Sequence, residues 1–154
     1  MKKRAAFILV PWIIVSVPMT HAAEWIGPDA RASGKYDTKR LESLLEKNQP
    51  ALNENIKVVP LSRNARSSSV LVQVRDREPL HYHADSDITV FMLRGTGDML
   101  IGGKTYPVKT GDVILIERGA IHAYINRGLE PAAALVVYSP APGPKDRVPV
   151  EEKN

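Results

Sequence analysis

From Ile56 to Ser139 the chain alternates short apolar stretches with turn residues. The apolar stretches fall near 56–61, 69–75, 88–93, 98–101, 104–108, 113–117, 121–126 and 132–139. Between them stand Gly95-Thr96-Gly97, Gly102-Gly103, Thr110-Gly111-Asp112, Arg118-Gly119 and Arg127-Gly128. A Gly-Gly pair between two such runs is a two-residue hairpin signal, and the other glycines can supply positive φ. Regular short strands with short connections predict an antiparallel all-β sandwich or barrel, not a parallel α/β sheet.

Upstream the period changes. Asp37–Asn48 reads as one short helix, with Leu41, Leu44 and Leu45 on a single stripe, Asp37 as N-cap and Pro50 just past the end. It is expected to pack on the barrel wall. Residues 23–55 thus form an N-terminal arm with this helix, 56–139 the barrel domain, and 140–154 a Pro-rich, flexible tail.

Residues 1–22 have the pattern of a signal peptide. Lys2, Lys3 and Arg4 are followed by an apolar run from Ala5 to Val17, and Thr20-His21-Ala22 offers small residues before a cut at Ala23. The apolar run is short for a spanning helix, which needs roughly 20 residues. Bacterial export to the periplasm or the medium is the expectation, with no membrane contact once the segment is removed. Three of the +4 net charge come from those first residues, so the balance gives no argument for nucleic-acid binding. No cysteine is present, which excludes disulfides, thiolate ligands and a Cys nucleophile.

The chemistry concentrates in 81–126. His81 and His83 form a His-x-His pair, whose side chains share one face of a strand. His122 returns 39 residues after His83, enough chain for several hairpins. Three imidazoles converging inside a barrel suit a divalent transition metal such as iron, zinc, nickel, manganese or copper. If His122 faces inward so does Tyr124, a candidate catalytic group able to donate a hydrogen bond or a proton. Ile88, Val90 and Met92 would line the same interior, and Ile114, Ile116, Ile121 and Val136 read as core. Gln73 is a further candidate for the lining, Arg94 reads as solvated, and Asn126 as a turn-stabilising residue. No phosphate-binding Gly loop, G-x-S-x-G elbow or H-E-x-x-H helix occurs.

This stretch resembles the cupins, small jelly-roll β-barrels. Their second motif is met by Gly111, Gly119, His122 and Asn126, with Glu117 where proline is usual; their first is met by His81, His83 and Gly95. Arg75 stands at the first motif's leading glycine position, and its glutamate position falls on Ile88. The resemblance implies a cupin barrel that holds a metal through His81, His83 and His122. The glutamate has no counterpart; Asp87, one residue early, is a candidate fourth ligand, and Asp85 a weaker one. Three neutral imidazoles around a divalent ion leave a +2 site, which favours an anionic or bidentate small molecule. Two functions follow as expectations. One is a metal-dependent enzyme of dioxygenase, isomerase or lyase type acting on a small polar molecule, with three-histidine dioxygenases as the nearest ligand analogy. The alternative is a non-catalytic barrel that binds a small molecule or metal at a degenerate site. Cupins commonly pair edge to edge, so a homodimer is expected.

Overall fold

The computed structural model describes residues 24–28 and 36–151, with the backbone alone for 24–28 and 36–40. The segment read as a signal peptide lies outside the described residues. The chain begins with β1 (Glu24–Pro28) paired antiparallel with β2 (Tyr36–Arg40), followed by α1 (Leu41–Lys47). Ten strands follow: β3 (Ile56–Arg63), β4 (Ser68–Val74), β5 (Arg77–His83), β6 (Asp87–Arg94), β7 (Thr96–Ile101), β8 (Lys104–Lys109), β9 (Val113–Ile116), β10 (His122–Asn126), β11 (Ala132–Ser139) and β12 (Arg147–Pro149). They form two five-stranded sheets, β12-β5-β10-β7-β8 and β3-β4-β11-β6-β9, with every pairing antiparallel. This is the antiparallel all-β architecture with one short helix that the patterning predicts, and the jelly-roll barrel that the resemblance to the cupins implies.

Alternation builds the interior. Val70, Val72 and Val74 of β4, Ile88, Val90 and Met92 of β6, and Val136 of β11 face Met99, Val108 and Tyr124 of the opposite sheet. Removing these side chains from water, at roughly 25 cal/mol per Å² of apolar area, holds the sheets together. The Gly102-Gly103 pair has φ of 56° and 80°, the two positive values that a tight β7–β8 hairpin needs. Gly97 answers a different demand: a Cβ there would collide with the Tyr124 ring and the Ile125 carbonyl.

The opposite parity of β4 points outward and receives the helix. Leu71 and Ala133 pack with Leu45, flanked by Leu41 and Leu44. Gln73 belongs to this outer face, not to the barrel lining. Its fully buried amide donates to the Leu45 and Asn48 carbonyls at 3.0 and 2.8 Å, satisfying acceptors that a helix C-terminus leaves open. Arg94 is not simply solvated: it donates to Gln73 Oε1 at 2.9 Å and to the Pro131 carbonyl at 3.1 Å.

Three further expectations differ. The helix starts at Leu41 and not at Asp37, because 36–40 pairs with β1 residue for residue and the ladder satisfies that backbone instead. Ile121 is 41% exposed, since the inward His122 next to it turns it outward. The segment expected to be a flexible tail carries β12, which pairs Arg147 with His83 and Pro149 with His81.

Candidate metal centre

Strand β5 carries His81 and His83 on its inner face, and β10 opens on His122, directly opposite His81 in register. The turn before β10 is pinned to β5 by the Gly119 N–H, which donates to the His83 carbonyl at 2.7 Å. The three imidazoles are brought together as the spacing predicts. Ring centroids lie 4.2 Å apart for His81 and His122, 5.2 Å for His81 and His83, and 5.5 Å for His83 and His122. All three rings are buried, and one ring nitrogen from each lies within 4.8 Å of the others.

Each Nδ1 is already committed. His81 Nδ1 meets the Pro79 carbonyl at 2.9 Å, His122 Nδ1 the Ala120 carbonyl at 2.8 Å, and His83 Nδ1 the Asp146 carboxylate at 2.6 Å. These partners only accept, so each Nδ1 carries a proton, and in a neutral ring Nε2 is then left with its lone pair. Burial lowers the pKa of His81 from 6.5 to about 4; the Pro79 carbonyl opposes the shift, while Arg147 and His83 add to it. Burial likewise brings His122 to about 4, against the raising influence of the Ala120 carbonyl. At neutral pH these two rings are uncharged acceptors facing inward. A donor set made only of lone pairs fits a cation, and oriented neutral imidazoles are standard ligands of divalent transition metals.

Asp146 was not singled out by the sequence. It is 1% exposed, and its Oδ1 accepts from the Asp85 and Ser86 N–H groups at 2.8 and 3.0 Å while Oδ2 holds His83. Burial alone would raise this carboxyl; the hydrogen bonds from Asp85, His83 and Ser86 outweigh it and keep the pKa below its ordinary value. Two further groups stand at the site without a signal in the sequence. The Tyr138 ring stands edge-on to His83 with centroids 5.1 Å apart, and Glu78 lines the cavity beside His81. Only a weak alternation, Val148 and Val150 in a Pro-rich segment, hinted that the chain end returns to the site.

The acidic candidates near the first motif lie elsewhere. Asp87 is half exposed and accepts from the Arg118 N–H at 2.9 Å. Asp85 is exposed and contributes its backbone N–H to Asp146. Ile88 is buried and lines the cavity with Val72, Val90, Met92, Ile116 and Val136. Tyr124 lines it too, with its hydroxyl donating to the Thr96 carbonyl at 3.1 Å and its pKa pushed up to about 12 by burial, with Asp98 adding to the rise. Asn126 fixes the following turn through the Arg75 and Glu130 carbonyls, both at 2.9 Å. The cavity itself is about 50 Å³, room for a few water-sized groups.

A β-sandwich closed around a buried three-histidine group, reached by a small cavity, defines the class: a barrel with a candidate metal site. The Cupin domain family matches residues 68–138, and the chain contains a small cupin jelly-roll domain. An uncharacterised protein of Aquifex aeolicus (strain VF5) is 34% identical over 115 residues, spanning 75% of this chain and 93% of that protein. Among solved structures, Pac13, described as a nucleoside dehydratase, superposes with a TM-score of 0.57 at 16% identity, over 70% of this chain and 89% of its own. A Klebsiella pneumoniae protein with a double-stranded β-helix domain gives a TM-score of 0.60 at 20% identity, over 70% and 95%. KdgF from Halomonas sp. gives 0.53 at 18%, over 62% and 87%. These structures share the fold.

Proposed function

We propose that this cupin is a metal-dependent enzyme acting on a small polar molecule at His81, His83 and His122. The observation that carries the reading is the donor set: three buried rings, each with its Nδ1 against an acceptor and one ring nitrogen within 4.8 Å of the other two. A bound divalent metal supplies Lewis acidity or redox chemistry and open coordination positions, which suits dioxygenase, isomerase or lyase reactions. The chain's own part is to hold the imidazoles oriented, with His81 and His122 neutral, to exclude bulk water with an apolar wall, and to present Tyr124 and Tyr138 beside the substrate space. Pac13, described as a nucleoside dehydratase, makes lyase-type chemistry a reasonable first class to assay on this fold.

A second reading is a non-catalytic binding barrel. It is favoured by Ile88, an apolar side chain at the position where the first motif has its glutamate. The two separate in one experiment. Metal-loaded protein and His122→Ala are incubated with small carboxylic acids, sugar acids, thiols and nucleosides, followed by an oxygen electrode and by NMR. Conversion that requires both metal and His122 supports the enzyme. Ligand binding by the metal-free protein, with no conversion of any compound, supports the binding barrel.

Export and pairing belong to the same proposal. The basic and apolar residues 1–22 support delivery to the periplasm or medium. Among the described residues, no helix is long and apolar enough to cross a membrane. A homodimer is supported by edge strand β9, where Val113 and Leu115 are 57% and 74% exposed.

A further inference from the structure

Glu78 stands three residues before His81, and on a regular strand an odd separation would put the two side chains on opposite faces. A β-bulge removes that conflict. Strand β10 pairs His122 with His81 and Tyr124 with Glu78, so two steps on β10 span three on β5. Pro79 lies inside the bulge, where it has no N–H to leave unpaired, and its carbonyl turns to His81 Nδ1. The phase of β5 is thereby reset, and Glu78 faces the cavity with the histidines. It is the only carboxylate lining that cavity among the described residues.

Its position relative to His81 is informative. Glu78 Oε1 lies 3.5 Å from His81 Nε2. That nitrogen is bare, because the ring proton is on Nδ1. Two acceptors therefore face each other across 3.5 Å, an arrangement relieved by a cation between them. Donor atoms bound to one metal at about 2.1 Å, with angles near 90–110°, sit about 3.0–3.4 Å apart, close to this separation. Glu78 stands outside the compact three-histidine group and reaches toward it with a flexible side chain. Its other neighbour is Arg147, with Nη2 3.5 Å from the same oxygen and a side chain 45% exposed, a contact weak enough to exchange.

We propose that Glu78 is the fourth protein ligand of the metal site, a carboxylate delivered by the β5 bulge while position 88 carries isoleucine. The inference rests on the three-histidine reading above. It makes the loaded site His₃Glu, reduces its charge from +2 to +1, and shifts the expected ligand from a strongly anionic molecule toward a neutral or singly charged one.

The test uses the metal-free full-length mature chain, titrated with Co²⁺ and followed by visible absorption, for the wild type, Glu78→Gln, Glu78→Asp and Arg147→Gln. Thermal melts of each metal-free protein confirm folding. The expected result is that Glu78→Gln weakens Co²⁺ binding by about tenfold or more and alters the absorption bands, that Glu78→Asp falls between, and that Arg147→Gln binds at least as tightly as wild type. Glu78→Gln with the affinity and spectrum of the wild type overturns the assignment while leaving the three-histidine site standing. A wild type that takes up no Co²⁺ overturns both.

Discussion

Asp146 illustrates how much of the site depends on a residue that touches no ligand position. With its Oδ2 2.6 Å from His83 Nδ1, it places a proton on that nitrogen and fixes the ring plane. Asp146→Asn keeps the shape and an oxygen for the Asp85 and Ser86 N–H groups but loses the charge. Zinc affinity is expected to fall about 10–100-fold with the fold retained, measured by competition with a chromophoric chelator. Unchanged affinity would mean that the dyad serves the chain end alone. The histidines also set a pH dependence for the metal-free protein. His81 and His122 have an ordinary pKa of 6.5 and about 4 in the fold. Between those values the unfolded chain takes up protons that the folded chain refuses. Their contribution is complete above about pH 6.5 and is lost as pH falls toward 4, by up to about 1.4 kcal/mol per pH unit for each ring. Urea unfolding of metal-free protein at pH 7, 6 and 5 reads this slope, and His122→Ala should flatten it. At this scale the ligand trio was legible, because His-x-His on a strand and a returning His carry a fixed parity. Glu78 and Asp146 were not. One depends on a bulge that changes the parity, and the other on a return of the chain across β5 that local pattern barely marks.

Among the elements, α1 is too short to persist by propensity and exists through its contacts with the outer sheet face. Leu45→Ala opens a cavity against Leu71 and Ala133 and should cost about 2–5 kcal/mol by chemical denaturation. Because α1 packs on the face away from the histidines, metal affinity should be unchanged at temperatures where the variant is folded. A parallel loss of affinity would show that the outer face and the site are coupled. Gly97→Ala tests the inner face. The new methyl would meet the Tyr124 ring, so overpacking of about 1–3 kcal/mol is expected together with disturbance beside His122. Eight of the ten barrel strands were legible to within a few residues because period-2 alternation and glycine turns are local signals; β5 was marked only by its His-x-His pair, and β12 lay in the segment expected to be a tail. The helix start was not. Asp37 and the leucine stripe favour an earlier start, and pairing with β1, which sets Asp37 against Gly27, decides otherwise.

For the whole molecule, two antiparallel sheets close an apolar barrel and leave one polar end, where strands from a single sheet supply every candidate ligand: β5 gives Glu78, His81 and His83, and β10 gives His122. The closing strand β12 covers β5 from the outside edge and brings Asp146 and Arg147 to the site. The fold follows from patterning that any all-β sequence could show; the claim specific to this chain is that the polar end holds a metal. The most direct measurement is elemental analysis by mass spectrometry of the mature protein. It should be exported to its own compartment and purified without chelator or affinity tag, beside His122→Ala. The account predicts close to one transition-metal ion per chain in the wild type and its loss in the variant. No metal in either protein, and none retained after exposure to iron, zinc, nickel, manganese or copper, would contradict it.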